Sequence, residues 1–193
     1  MTQPALFAVE DGGHARVADG AFVMSSARAG DDSELAFERA ALKRGWRVCS
    51  PRGIAEEFDY IVKRKGGRPV VVQVKRAAMQ HNKESNYNIR CCKTRGPRAS
   101  AGVSARRVPY EAEAFDVLAA HLPDLDKFVF FTLGEINGRT SVGYTPPDRR
   151  QNQRQQRAVA ARNPDNWELL DDVAESLTLS GPTPANVLPP SPY

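Results

Sequence analysis

Four polar residues, Glu34, Asp59, Gln73 and Lys75, have side chains that can hold a cation and activate a water molecule. Side chains alternate between the two faces of a β-strand, so within residues 69–75 Gln73 and Lys75 share the face opposite three valines. Asp59 lies fourteen residues before Gln73, and a short turn can bring its carboxylate beside that row. Glu34 lies in the first turn of a predicted helix and supplies a second carboxylate if this helix packs on the hairpin.

Oxygen ligands of this kind, with some waters retained, are the ligands that Mg²⁺ prefers, and a substrate phosphate often completes its shell. A lysine beside the ion can orient or deprotonate a water and can stabilise charge on the phosphoryl oxygens. The four residues therefore predict hydrolysis of a phosphodiester bond by an activated water.

Each of these residues also has a plainer interpretation. Glu34 can complement the helix dipole, and Glu38 can replace it one turn later. Asp59 can pair with a lysine at a strand edge, Gln73 can be an ordinary amide, and Lys75 can be a surface cation. The hydrolytic interpretation requires that all four lie together.

The elements that must position these residues are a helix and a β-hairpin. A helix is predicted over residues 33–44, because residues 31–33 offer N-cap oxygens and Gly45 supplies a left-handed stop. A Gly-containing turn over residues 63–67 joins the two hairpin strands. The predicted strands are 46–49, 58–62, 69–75, 87–92 and 128–133, and the segment 115–122 is ambiguous between strand and helix.

Composition divides the chain into three regions. Residues 1–30 lack sustained periodicity and are predicted to be a flexible arm, residues 31–177 to be the folded domain, and residues 178–193, with five prolines, to be a disordered tail. Within the domain, residues 93–109 are predicted to form a mobile basic loop.

Positive charge is concentrated in one part of the sequence. Residues 63–110 contain thirteen Lys or Arg and one acid, whereas the net charge of the whole chain is only +4. This asymmetry favours a polyanion as partner, although a solvated basic face is an equally simple explanation. The candidate DNA contacts are Lys63, Arg64, Lys65, Arg76, Lys83, Arg90, Lys93, Arg95, Arg106 and Arg107, with Arg149, Arg150 and Arg154 from a second arginine-rich segment.

Several classes of protein find no support in the sequence. With 193 residues, 41% of them hydrophobic, the chain can bury a core without staples. The odd number of cysteines, two of them adjacent, gives neither a disulfide framework nor a Cys-x-x-Cys site, so a reducing cytoplasm is expected. No apolar run approaches the roughly 20 residues of a membrane span, and no secretion signal is evident. The three histidines are isolated, and no phosphate-binding glycine loop or serine nucleophile motif is found.

The ordered set of Glu34, Asp59, Gln73 and Lys75 resembles the PD-(D/E)xK nuclease superfamily. The likeness spans roughly residues 32–92, and the form with Gln in place of the second acid is similar to group I intron homing endonucleases and small bacterial endonucleases. It implies an α/β, restriction-endonuclease-like core in which a central mixed β-sheet is flanked by helices. It also implies that Glu34 and Asp59 bind the metal, that Gln73 completes the metal site, and that Lys75 assists the attacking water.

These observations together predict a Mg²⁺-dependent DNA endonuclease, with Mn²⁺ able to substitute. Because one small domain with one active site cuts one strand, cleavage of both strands favours a homo-oligomer, a dimer or higher. Two alternatives remain open at this stage. The neutral Gln73 is compatible with a DNA-binding module that has lost catalysis, and the motifs fit a junction-resolving or repair nuclease as well as a homing enzyme.

Overall fold

In the computed structural model, the described residues are 26–51, 57–80, 86–95, 106–149 and 163–179. Residues 180–193 of the predicted tail and the first 25 residues of the predicted arm lie outside them. The end of that arm and residues 178–179 of the predicted tail instead belong to helices. Three of the candidate DNA contacts are also outside the described residues, namely Lys83, Arg150 and Arg154.

The first helix, α1 (Ser26–Lys43), begins well before the predicted start at Ser33. Ser33 does not cap the helix, because its Oγ donates a hydrogen bond of 3.1 Å to the carbonyl of Ala29, one turn earlier. The predicted start is therefore wrong, since the polar residues before Ser33 continue the helix. The predicted end is close to the observed one: Gly45 has a φ of +80° and its N–H donates to the Leu42 carbonyl.

Ten strands in the described part of the chain form two sheets and a two-stranded ribbon. In chain order they are β1 (Arg47–Cys49), β2 (Tyr60–Lys63), β3 (Val70–Arg76), β4 (Ala78–Met79), β5 (Tyr87–Arg90), β6 (Cys92–Arg95), β7 (Arg106–Pro109), β8 (Val117–Leu122), β9 (Lys127–Thr132) and β10 (Ser141–Tyr144). The larger sheet has the order β1-β2-β3-β8-β9. It is mixed, because β3 and β8 are parallel whereas its other neighbours are antiparallel.

The predicted hairpin is confirmed as β2 and β3, which pair with Tyr60 opposite Val72 and Val62 opposite Val70. The ambiguous segment 115–122 contains strand β8, all of whose residues are buried. A strand that is covered on both faces reads as a continuous apolar run, and this is why periodicity alone could not separate strand from helix.

The three valines of β3 face a layer of helices. Val70, Val72 and Val74 belong to one core cluster with Phe37 of α1. Trp167, which directly precedes the last helix, α3 (Glu168–Leu179), stacks on Phe37 with ring centroids 5.7 Å apart. Helices α1 and α3 therefore cover the same face of the large sheet.

The opposite face of the large sheet is covered by the small sheet, whose strand order is β10-β5-β4. Leu118 and Ala120 of β8 pack there in one cluster with Tyr87 and Ile89 of β5 and Val142 of β10. A short helix, α2 (Leu133–Ile136), follows β9. The predicted α/β class with a central mixed sheet is confirmed.

The predicted basic loop over residues 93–109 is partly a ribbon. Strands β6 and β7 pair antiparallel, with Lys93 opposite Val108 and Thr94 opposite Arg107. Each strand is too short to show alternation, and ten residues rather than a short turn separate the two, so local pattern could not reveal the pairing. Among the described residues, no helix is long and apolar enough to cross a membrane.

Candidate active site

The site lies where β2 separates from β3. The two strands pair from Val62 back to Tyr60, and the N–H of Asp59 still donates to the Val72 carbonyl at 3.0 Å. Beyond this point β3 continues without β2, and the Asp59 carboxylate takes the place of the missing strand. Its Oδ2 accepts a hydrogen bond of 2.7 Å from the backbone N–H of Val74. Asp59 is thus fixed by the backbone of the strand that contains Gln73 and Lys75.

Gln73 is the buried member of the site, with only 4% of its surface exposed. Its Nε2 donates both to Asp59 Oδ2 and to the Val74 carbonyl, the second bond measuring 3.1 Å. Because an amide nitrogen has two hydrogens, these bonds use both of them. The oxygen Oε1 is then the atom of Gln73 that can coordinate a cation.

Glu34 and Lys75 complete the set from two different elements. Glu34 is half-buried on α1, and Lys75 is half-buried near the end of β3. Burial raises the pKa of Glu34, the negative charges of Asp59 and Asp31 raise it further, and Lys75 opposes them. The structure therefore brings the four predicted residues from three parts of the chain into one electrostatic neighbourhood.

The same electrostatics favour a cation. Burial is the main cause that raises the pKa of Asp59, while the Val74 N–H and Lys75 act in the opposite direction. Two partly dehydrated carboxylates that destabilise each other's charge gain stability from a divalent ion between them. Within the described ranges, no three His, Cys, Asp or Glu side chains form a metal cluster, and the third oxygen donor here is the Gln73 amide. Two carboxylates and one amide oxygen suit Mg²⁺ or Mn²⁺.

Tyr110 is a neighbour that the sequence did not reveal as a site residue. It is 7% exposed, and its ring packs edge-on against Phe115 with centroids 4.8 Å apart. Burial raises the pKa of the Tyr110 hydroxyl, and the Asp59 charge is the next cause. The phenol therefore lies within electrostatic reach of the site, although a single tyrosine after a basic segment gives no sequence signal.

The candidate DNA contacts of the hairpin turn lie away from this site. Lys63 and Lys65 are exposed, but they lie at the opposite end of β2 and β3 from Asp59 and Lys75. Arg64, between them, forms an ion pair of 2.8 Å with a carboxylate of α3 and lies over an indole ring at 4.8 Å. The structure does not bring this group to the active site.

Of the remaining candidate contacts, one lies beside the site and others lie on β5 and on the ribbon. Arg76 is exposed and directly follows Lys75, and Arg90 is exposed at the end of β5. Arg106 and Arg107 are exposed on the ribbon, whereas Lys93 forms ion pairs with Glu57 and Glu111. For Arg95 and Arg149 the structure describes the backbone alone.

Comparison with known proteins agrees with this architecture. A family model described as PD-(D/E)XK endonuclease matches residues 24–169. Among solved structures, the bacterial homing endonuclease I-Ssp6803I is similar with a TM-score of 0.65 and 24% sequence identity, over 80% of this chain and 99% of that one. At this identity the structural likeness shows a shared fold. No curated protein sequence is significantly similar to the chain. Because the family model covers most of the sequence and the fold agrees with it, the chain belongs to the PD-(D/E)XK endonuclease family, a family of nucleases.

Proposed function

We propose that the protein is a Mg²⁺-dependent DNA endonuclease that hydrolyses phosphodiester bonds with an activated water. The observation that carries the proposal is the meeting of two carboxylates, one buried amide and one ammonium at the point where β2 leaves β3. A purely structural role for these residues would not require two carboxylates to share a partly dehydrated space.

The four residues of the site would have two different roles. Glu34, Asp59 and Gln73 Oε1 would hold the ion, and Mn²⁺ would be accepted by the same oxygen ligands. When bound, the ion makes a water more acidic and polarises the scissile phosphate. Lys75 lies close enough to both carboxylates to oppose the rise of their pKa, so its ammonium is beside the atoms that would hold the ion. There it orients the attacking water and stabilises the charge that develops on the phosphoryl oxygens.

The neutral Gln73 shapes how the site works. It gives the site one negative charge fewer than a third carboxylate would, so the ion is held weakly until a substrate phosphate adds its own charge. We therefore expect metal and DNA to bind cooperatively. The exposed Arg76, Arg90, Arg106 and Arg107 would supply contacts to the DNA backbone.

The outer face of α1 supports the proposal that the protein acts as a homo-oligomer. Leu35 and Leu42 are 48% and 53% exposed, and residues seven apart lie on one face of a helix. The exposed charges on this helix have both signs, at Arg28, Asp31, Asp32, Arg39 and Lys43. An antiparallel pair of α1 helices from two copies would place leucine on leucine.

Three free cysteines, two of them buried, support a cytoplasmic location.

Cleavage of plasmid DNA tests the proposal. Wild-type protein with Mg²⁺ or Mn²⁺ is expected to cut supercoiled DNA, and excess EDTA is expected to stop it. Lys75→Ala should lower the cleavage rate at least a hundredfold, because it removes the cation that acts on the reacting water and phosphate. DNA affinity should change little, since one charge is lost from a strongly basic segment. Lys127→Ala, which removes an exposed lysine at the start of β9, is the matched control.

The outcomes separate the candidate functions. If Lys75→Ala loses cleavage and DNA binding in parallel, Lys75 is a structural or binding residue and the catalytic role is wrong. If wild-type protein binds DNA but is inactive with both metals on supercoiled, linear and branched substrates, the protein is a binding module on the nuclease fold. Preferential cutting of four-way junctions would instead indicate a junction-resolving nuclease.

A further inference from the structure

A buried polar contact joins α1 to the sheet directly beside the active site. Ser33, the residue before Glu34, is 1% exposed, and His121 near the end of β8 is 7% exposed. The Ser33 Oγ and the His121 Nδ1 lie 3.1 Å apart. The two residues are 88 positions apart in sequence, so this contact exists only in the folded protein.

Either neutral tautomer of the imidazole makes this hydrogen bond. When the single hydroxyl hydrogen of Ser33 is donated to the Ala29 carbonyl, at 3.1 Å, the Oγ accepts from Nδ1–H. In the other tautomer the hydroxyl donates to Nδ1. Burial lowers the pKa of His121, which favours the neutral ring, whereas the charge of Asp126 acts in the opposite direction.

The sheet holds the imidazole firmly. Its ring stacks on Phe128 with centroids 4.8 Å apart, and the His121 carbonyl accepts a hydrogen bond of 2.8 Å from the N–H of Ala77. In the parallel pairing of β3 with β8, His121 is opposite Arg76, the residue after Lys75. His121 thus belongs to the same strand pair as Lys75.

We propose that His121 is a positioning residue for Glu34: its hydrogen bond to Ser33 fixes α1 on the sheet and so sets the separation between the Glu34 and Asp59 carboxylates. The inference rests on the proposed metal-dependent function. The other contacts of α1 with the sheet include Phe37 and Ala41, and the hydrophobic effect that stabilises such packing is non-directional. A hydrogen bond fixes distance and direction.

The expected consequence is a loss of metal affinity without loss of the fold. Asp59 is held by the backbone of β3, whereas Glu34 is on a separate helix, so any shift of α1 changes the distance between the two ligands. A misplacement of about 1 Å in an active site can lower the reaction rate about a hundredfold. We expect Ser33→Ala and His121→Leu each to weaken Mn²⁺ binding about tenfold or more.

The test measures Mn²⁺ affinity by electron paramagnetic resonance titration of the full chain, with thermal unfolding as a check of the fold. His121→Asn should keep most of the affinity that His121→Leu loses, because the asparagine amide can donate from nearly the position of Nδ1. Ser176→Ala is the matched control, since Ser176 also bonds back to a carbonyl of its own helix but lies on α3. It should leave Mn²⁺ affinity unchanged.

A double-mutant cycle with Glu34→Gln makes the test specific. If His121 acts through Glu34, Ser33→Ala should weaken Mn²⁺ binding in the wild-type background and have little further effect in Glu34→Gln. Fully additive losses, or equal losses in His121→Asn and His121→Leu, would overturn the positioning role. If Glu34→Gln itself leaves both Mn²⁺ affinity and cleavage unchanged, Glu34 is not a ligand, and the proposed function of the site fails together with the inference.

Discussion

Replacing Gln73 by Glu changes the charge of the candidate site at nearly constant volume. In the metal-free protein the new carboxylate would lie against Asp59 Oδ2 and the Val74 carbonyl, the two acceptors to which the Gln73 amide now donates. Three oxygens with no hydrogen between them repel one another. The variant must therefore take up a proton or bind a cation to be as stable as the wild-type protein.

The size of the effect follows from Coulomb's law. Two like charges about 4 Å apart interact by about 4 kcal/mol at an effective dielectric constant of about 20. Lys75 opposes this repulsion and the Asp59 side chain is only partly buried, so we expect roughly half, about 2 kcal/mol, to remain. Metal binding recovers this energy, and Gln73→Glu should therefore bind Mg²⁺ about 30-fold more tightly than wild type at pH 8.

The pH dependence has a definite sign. Repulsion raises the pKa of the carboxyl pair in the folded variant above its unfolded value. The folded state then binds more protons, so the stability of the metal-free variant falls as pH rises through the interval between the two values. Wild-type protein should show a smaller decrease of the same sign, because burial already raises the pKa of Asp59. Saturating Mg²⁺ should remove most of the difference between the two proteins.

Isothermal titration calorimetry without DNA measures the affinities, and thermal unfolding at pH 5 and pH 8 measures the stabilities. Gln80→Glu is the control, because it makes the same charge change at an exposed position beyond β4. It should leave Mg²⁺ affinity unchanged. If Gln73→Glu and wild type bind Mg²⁺ equally, the amide does not lie beside the ion, and the assignment of Gln73 as a ligand is wrong.

Two further predictions follow from the site and from α1. Asp59→Asn should weaken Mn²⁺ binding at least tenfold by calorimetric titration, because it removes a charged ligand. Unchanged affinity in the variant would contradict the ligand role. The Mn²⁺ affinity of the wild-type protein should decline as pH falls, because the raised pKa values of Asp59 and Glu34 allow these ligands to be protonated. The double variant Leu35→Glu with Leu42→Glu should convert an oligomer into monomers, as measured by size-exclusion chromatography with light scattering. The control Met79→Glu, at an exposed apolar residue of β4, should leave the oligomer intact. A wild-type protein that is monomeric at micromolar concentration would refute the self-association of α1.

The parts of the molecule that the sequence predicts are those governed by local rules. Alternation along residues 69–75 correctly separates three valines from Gln73 and Lys75, and the glycine turn correctly joins the hairpin strands. The family was also correctly identified from four residues in order. The individual roles of those four residues, the limits of the domain and the cytoplasmic location stay predictions.

The features that the sequence does not predict depend on contacts that local pattern does not encode. The predicted start of α1 is wrong because the polar residues before Ser33 continue the helix, and the Ser33 hydroxyl contacts Ala29 and His121. His121 looks isolated in the sequence because its partner Ser33 is 88 positions away. The ribbon of β6 and β7 resembles a loop because its pairing joins two short segments with no local alternation.

The parallel pairing of β3 with β8 has a consequence for how the chain is made. Val72 pairs with Val117, and four strands lie between these two residues in sequence: β4 and β5 of the small sheet and both strands of the ribbon. At ordinary translation rates the roughly forty intervening residues take about 2 to 8 seconds to synthesise, and throughout that time one edge of β3 has no partner. A nascent edge of valines is the kind of segment that associates with other chains. Gln73 and Lys75 interrupt it, so we expect these two residues to protect the yield of folded protein in addition to their proposed roles in the site.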